Sequence, residues 1–287
     1  MDMVNRAVKM LDVLARLTRI EHALVLMVAV LAGETIALGR IPAPTEAIVI
    51  SLLVPAFIEI GSFALNDILD VKSDRANAKK DRPLVNNELS IGAAWAITIV
   101  AYAAGLGLAY LMGVLPFSIA LIFAALSVAY NYWLKDLPLA GNAAIGASMA
   151  IPFVFGNLVI NGEASQPVLI IAAIALMAGT AREIIKSVED ISGDVEMRGS
   201  STLPVVIGIN GSLLVGKILV LAAIALSFLP FPYLNMNPLA LALVAAADLM
   251  LVYVIVEMKE DALEMPMKLA LIAFAVATIG YLLAVIL

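Results

Sequence analysis

The stretch Thr45–Leu65, TEAIVISLLVPAFIEIGSFAL, runs without a break into Asn66-Asp67-Ile68-Leu69-Asp70-Val71-Lys72-Ser73-Asp74-Arg75. The first part is long and apolar enough to cross a hydrocarbon core of about 30 Å as a helix. The second part puts four oxygen-bearing side chains at the end of that same helix. Asn66, Asp70 and Asp74 fall at i, i+4 and i+8, and Asp67 lies three residues before Asp70, so helical periodicity predicts one shared face. Carboxylates crowded on one face next to a membrane repel each other and are costly to desolvate. A divalent cation relieves both problems. Hard oxygen donors at this spacing suit Mg²⁺, which binds one or two carboxylates together with substrate phosphates. The plain alternative is a solvated acidic helix end paired with Lys72, Arg75 and Lys79. Arg75, Lys79, Lys80 and Arg82 follow within reach and are able to neutralise diphosphate oxygens.

Outward from this segment, apolar runs of similar length recur. They read as 20–38, 45–65, 92–113, 115–134, 139–160, 168–188, 212–230, 237–257 and 268–287. Hydrophobic residues make up 63% of the 287, mean hydropathy is +1.05 and charged residues are 14%, against about 25% charged in soluble domains. The runs lack the short alternation of a membrane barrel. The expected fold is an all-α membrane protein, nine transmembrane helices in a single bundle with a cytoplasmic cap over the active site. One domain spans 1–287, with cap segments at about 71–91 and 189–211. Sorting Lys and Arg by alternate loops puts sixteen of seventeen on one side, with Arg40 alone opposite. That asymmetry predicts a cytoplasmic N-terminus and active face, and a C-terminus outside the cell membrane.

Other features exclude chemistry. There is no cysteine, so disulfides and thiolates are absent, and the single histidine, His22, precludes a multi-histidine metal site. The N-terminal segment sets Val4, Val8, Leu11 and Ala15 against Arg6, Lys9 and Asp12, which reads as an interfacial helix. Two acids, Glu59 and Asp248, sit inside apolar spans; Glu59 is on the Asn66 stripe, and Asp248 is expected to make a hydrogen bond between helices.

A second constellation ends the sixth span. Arg182, Lys186, Asp190 and Asp194 repeat every four residues, two cations deeper and two carboxylates nearer the loop. That order suits a diphosphate whose metal is held by the acids and whose oxygens meet Lys186 and Arg182. The alternative is a chain of i,i+4 salt bridges such as Lys186 to Asp190, worth a few tenths of a kcal/mol.

These residues resemble the UbiA superfamily of intramembrane prenyltransferases. Asn66-Asp67-x-x-Asp70-x-x-x-Asp74 fits its first signature and Asp190-x-x-x-Asp194 its second. Several stretches look like the archaeal digeranylgeranylglyceryl phosphate synthases within it: Asp74-Arg75-Ala76-Asn77 with Asp81-Arg82-Pro83, Leu134 to Asn142, Arg182 to Asp190, and Gly199 to Pro204. The family's Tyr-x-x-x-Lys is displaced here, Tyr130 preceding Lys135 by five and Tyr132 by three. The resemblance implies Mg²⁺-dependent transfer of geranylgeranyl from geranylgeranyl diphosphate to geranylgeranylglyceryl phosphate, in archaeal ether-lipid synthesis. A runner-up acceptor is an aromatic ring, and the rival from another class is an ion-coupled transporter. On this reading Asn66, Asp70, Asp74, Asp190 and Asp194 hold the metal. Asp70 and Asp190 are indispensable, and Asp67 is a candidate base. Arg75, Arg182 and Lys186 bind the diphosphate, while Arg19, Lys135 and His22 are candidates for the acceptor's phosphate.

Overall fold

A computed structural model describes residues 2–76, 79–191, 199, 201–260 and 262–287. Among them there are ten long helices and no strand: α1 (Asp2–Thr18), α2 (Ile20–Leu38), α3 (Glu46–Ala76), α4 (Ile91–Leu111), α5 (Val114–Tyr132), α6 (Ala140–Asn161), α7 (Gln166–Glu189), α8 (Leu203–Leu226), α9 (Pro238–Glu257) and α10 (Glu264–Ile286). Short 3₁₀ turns cover Leu134–Asp136 and Phe231–Tyr233. All but α1 are long and apolar enough to cross a membrane, nine spans among the described residues. The protein is a multi-pass helical membrane protein, as its hydropathy dictates. In lipid, a helix satisfies its own backbone polar groups.

Two boundaries differ from the hydropathy reading. The second span does not stop at Leu65, because α3 continues to Ala76 over 31 residues. At 1.5 Å per residue that is about 46 Å, well beyond a hydrocarbon core of about 30 Å. The acidic motif therefore rides on the last turns of a single long helix. The seventh span, α8, begins at Leu203, nine residues earlier than the apolar run suggests. Its first turn is set off by Gly208, at φ 76° and ψ 165°, a conformation that suits glycine.

The chain divides into two compact units. The first comprises residues 1–28 and 45–132. Here α3 packs against α4 and α5, and α1 lies along α3. Leu17 joins Ala64, Ile68, Leu84 and Ala94 in a buried cluster, so α1, α3, α4 and the 79–90 loop share one small core. Arg16 ties the loop down further, donating to the Asp81 carbonyl at 3.2 Å and to Glu88 Oε2 at 2.6 Å.

The second unit comprises residues 29–44 and 133–287, with α7 packed on α6, α8 and α10. Val30 and Gly33 of α2 meet Phe153 and Gly156 of α6 backbone to backbone. A Cβ at Gly33 or Gly156 would collide with the opposite main chain. Small residues permit such approach between membrane helices, where dispersion and polar bonds replace the hydrophobic drive. Asn157 seals the contact: its Nδ2 donates to the Gly33 carbonyl at 3.1 Å, and its Oδ1 accepts from the Ser165 N–H at 2.8 Å. The expected interhelical bond of Asp248 is present, with Ser227 Oγ of the α8 cap donating to its Oδ2 at 2.7 Å. Tyr281 donates to the Ser227 carbonyl at 2.8 Å from α10.

Candidate active site

The first motif occupies the last three turns of α3, and its partners split it in two. Asn66 donates through Nδ2 to Asp70 Oδ2 at 2.9 Å and to Asn131 Oδ1 at 3.0 Å. Asn131, near the end of α5, is buried and donates in turn to the carbonyls of Ser127 at 3.0 Å and Ser62 at 3.3 Å. An Asn inside an apolar helix is costly unless satisfied in this way, and the network fixes the Asn66 amide. The Asn66 amide, whose oxygen is a candidate metal donor, is thereby tied to the Asp70 carboxylate.

Asp67 and Asp74 have cationic partners instead. Asp67 is 1% exposed, and its Oδ1 accepts from Arg19 Nη2 at 3.0 Å and from Arg82 Nη1 at 3.1 Å. Asp74 is paired with Lys79 at 3.2 Å and lies 3.8 Å from Arg82 Nε. Arg19 sits between α1 and α2 at φ 44°, in the left-handed region that non-glycine residues seldom adopt. Its guanidinium lies over the Phe63 ring, 4.3 Å from the centroid, and His22 packs on the other side of that ring at 5.1 Å. Burial draws the Arg19 pKa below its ordinary value, Arg82's charge adds to this, and Asp67 opposes it. Arg75 is exposed and reaches Asn87 Oδ1 at 3.4 Å.

In the second unit, Arg182 and Lys186 lie on α7, which ends at Glu189. Asp190 caps it with its N–H on the Lys186 carbonyl, at 3.0 Å. Among the described residues Lys186 pairs with Glu183, at 3.6 Å, and not with Asp190. Lys186 and Asp190 are exposed, whereas Arg182 is half-buried with its Nε making no hydrogen bond. Arg182 lines a narrow cavity of about 40 Å³ among α6, α7, α8, α9 and α10, whose mainly apolar wall also includes Ser227, Asp248 and Tyr281. Lys135 lies in the 3₁₀ turn before α6, whose following Asp136 carbonyl accepts from Ser201 N–H at 3.1 Å. Asp194 lies outside the described residues.

Among the described residues no three carboxylates or imidazoles converge into a ready-made metal cage. The donors present, an amide carbonyl beside a carboxylate, suit Mg²⁺ completed by phosphate oxygens more than an all-protein site.

The sequence profile of the UbiA prenyltransferase family matches residues 26–284. The chain belongs to the UbiA prenyltransferase family. A digeranylgeranylglyceryl phosphate synthase of Archaeoglobus fulgidus is 29% identical over 272 residues, covering 92% of both chains. A solved digeranylgeranylglyceryl phosphate synthase in membranes superposes with a TM-score of 0.79 at 25% identity, over 96% of this chain and 98% of that one. A UbiA homolog from Archaeoglobus fulgidus, bound to GPP and Mg²⁺, shares the fold at a TM-score of 0.71 and 18% identity, over 95% and 99% of the two chains. The protein is a membrane prenyltransferase.

For this UbiA chain, two residues at the first motif carried too little signal to be singled out from sequence. In the sequence Arg82 is one of four loop cations and part of the Asp81-Arg82-Pro83 stretch, with no sign of its partner, and Asn131 belongs to no motif. A polar side chain inside the otherwise apolar run 115–134 was the available clue to Asn131. Nothing in the local pattern joins Arg82 to Asp67.

Proposed function

We propose that this prenyltransferase moves a geranylgeranyl group from geranylgeranyl diphosphate to the free hydroxyl of geranylgeranylglyceryl phosphate, making the doubly alkylated core of archaeal ether lipids. The observation that carries the reading is the paired arrangement on α3. The Asn66–Asp70 oxygen donors suit a metal-bound diphosphate, and a two-arginine cluster stands one helical step away, as a second anionic substrate requires. The synthases that match along nearly the whole chain support the choice of acceptor.

Asn66 and Asp70 would hold Mg²⁺, with Asp74, Asp190 and Asp194 completing the set across one domain spanning 1–287. Bound there, the metal would supply charge neutralisation for a departing diphosphate. Arg182, Lys186 and Arg75 are assigned to diphosphate oxygens, and Arg19 and Lys135 to anionic groups of the substrates. The bond between the allylic carbon and diphosphate oxygen breaks as the glyceryl oxygen bonds to that carbon. The hydroxyl proton passes to the released diphosphate. Asp67 is poorly placed to take it, because Arg19 and Arg82 already donate to its Oδ1. The segments 71–91 and 189–211 would keep water from the allylic cation. The distribution of Lys and Arg supports placing this end of the helices in the cytoplasm, with the C-terminus outside.

The test is product analysis by mass spectrometry. Purified protein receives Mg²⁺, allylic diphosphates of several lengths, and either geranylgeranylglyceryl phosphate or hydroxybenzoate. A diether phosphate formed with geranylgeranyl diphosphate is expected. Prenylated hydroxybenzoate as the sole product would overturn the acceptor assignment.

A further inference from the structure

We propose that Arg19 and Arg82 form the seat for the phosphate monoester of the acceptor, and that Asp67 is the positioning residue that holds the two guanidiniums together. This rests on the acceptor named above and adds the side chains that would select it.

Both guanidiniums converge on one oxygen, Asp67 Oδ1, at 3.0 and 3.1 Å. Asp67 thus meets two cations at once, while Asp74 and Asp81 stand farther from Arg82, 3.8 and 3.7 Å from its Nε. The remaining N–H groups of each planar fork stay available, and that geometry matches phosphate oxygens. The side chains of Arg19 and Arg82 are 20% and 17% exposed, so the cluster is largely withdrawn from water without being sealed. Two polar atoms within it are buried with no hydrogen bond, Asp67 Oδ2 and Arg82 Nε. Buried groups rarely stay unsatisfied without a reason, and a phosphate oxygen is a partner for the arginine nitrogen. The guanidinium of Arg19 is held from below by Phe63 and from behind by an unusual backbone conformation. Such over-determined placement is typical of functional sites.

The same geometry separates this seat from the metal donors. Asn66 and Asp70 face Asn131, whereas Asp67 faces α1 and the 79–90 loop. An anion on the arginines is therefore a neighbour of the metal-held diphosphate and not the same group. Asp67, read from sequence as a candidate base, becomes a strut.

The experiment compares Arg19→Gln and Arg82→Gln with the unaltered protein. Acceptors with and without the phosphate, geranylgeranylglyceryl phosphate and geranylgeranylglycerol, are each supplied with geranylgeranyl diphosphate. For the phosphorylated acceptor kcat/KM should fall by roughly 10–100-fold, the loss expected for charge-assisted hydrogen bonds. The KM for geranylgeranyl diphosphate should stay nearly constant, and the preference for the phosphorylated acceptor should collapse. Arg82→Lys should not restore it, since an ammonium lacks the fork, and Asp67→Asn should lower the same preference. An unchanged preference, or a matching rise in the KM for the diphosphate, overturns the proposal. A second measurement is independent of turnover: glycerol 1-phosphate should raise the Tm of the unaltered protein and not that of Arg82→Gln. If the unaltered protein prenylates neither acceptor, the proposed reaction fails, and this shift still decides whether the seat exists. No shift in the unaltered protein overturns it.

Discussion

The two acidic helix ends look alike in sequence and differ in structure. On α3, Asp67, Asp70 and Asp74 are all buried, and the cations beside Asp67 and Asp74 come from the α1–α2 junction and the following loop. At the end of α7, Lys186 and Asp190 are exposed, and the only ion pair of Lys186 among the described residues is with Glu183, one turn back. The first motif is assembled by tertiary contacts before any substrate arrives. The second is tied to the fold mainly through its helix. A buried carboxylate left without its cations is strongly destabilising, while an exposed pair contributes little. The first site should thus serve both folding and catalysis, and the second mostly catalysis.

That contrast can be broken most directly at the two carboxylates assigned to the metal. Asp70→Ala and Asp190→Ala should each lower kcat by roughly 10²–10³-fold or more, as when a group that stabilises developing charge is removed. Steady-state assays at saturating Mg²⁺ check this. Retained activity in either variant removes that carboxylate from the metal set.

Stability should separate the ends more sharply. Asp67→Ala leaves two guanidiniums without their shared partner and should cost about 3–5 kcal/mol of stability. Replacing Asn131 with Leu removes one of the two acceptors of the Asn66 amide and strips the carbonyls of Ser62 and Ser127 of a donor, and a loss of about 1–3 kcal/mol is expected. By contrast Lys186→Ala should cost less than about 0.5 kcal/mol, as for exposed helix pairs, while raising the KM for the allylic diphosphate. Denaturation in detergent micelles measures all three. A Lys186→Ala loss as large as that of Asp67→Ala would end the distinction.

The smallest effect is expected at the clasp between α1 and the loop. Arg16→Ala removes bonds to Glu88 and the Asp81 carbonyl, with about 1 kcal/mol at stake for a partly exposed pair. The hydrogen bond to the Glu88 carboxylate is the main cause of the raised Arg16 pKa. Added salt should weaken that bond. An Arg16→Ala effect that is indifferent to ionic strength would mean that the carbonyl bond and packing carry the clasp.

Much of this was legible in the chain. Apolar length is a local property, so eight of the nine spans begin within about four residues of the runs read from hydropathy. The exception, α8, starts early because an apolar first turn, set off by Gly208 and followed by Asn210 and Gly211, precedes the run read from hydropathy. Helical spacing likewise placed Asn66, Asp67, Asp70 and Asp74 near one another on α3. It did not reveal that they would divide between two sets of partners. On α7, which ends at Glu189, it implied a stripe extending to Asp194, a position outside the described residues.

The sequence by itself determined a nine-span helical bundle, the acid-bearing helix ends and the family, because each depends on composition and spacing within a short window. Tertiary structure alone decided which charge meets which. Asp67 finds Arg19 across 48 residues and Arg82 across 15, and Asn66 finds Asn131 across 65. Those distances close only when α1, α5 and the 79–90 loop fold back along α3. An ion pair inside a membrane protein forms where desolvated partners are brought within about 4 Å, and helical periodicity carries no record of that approach.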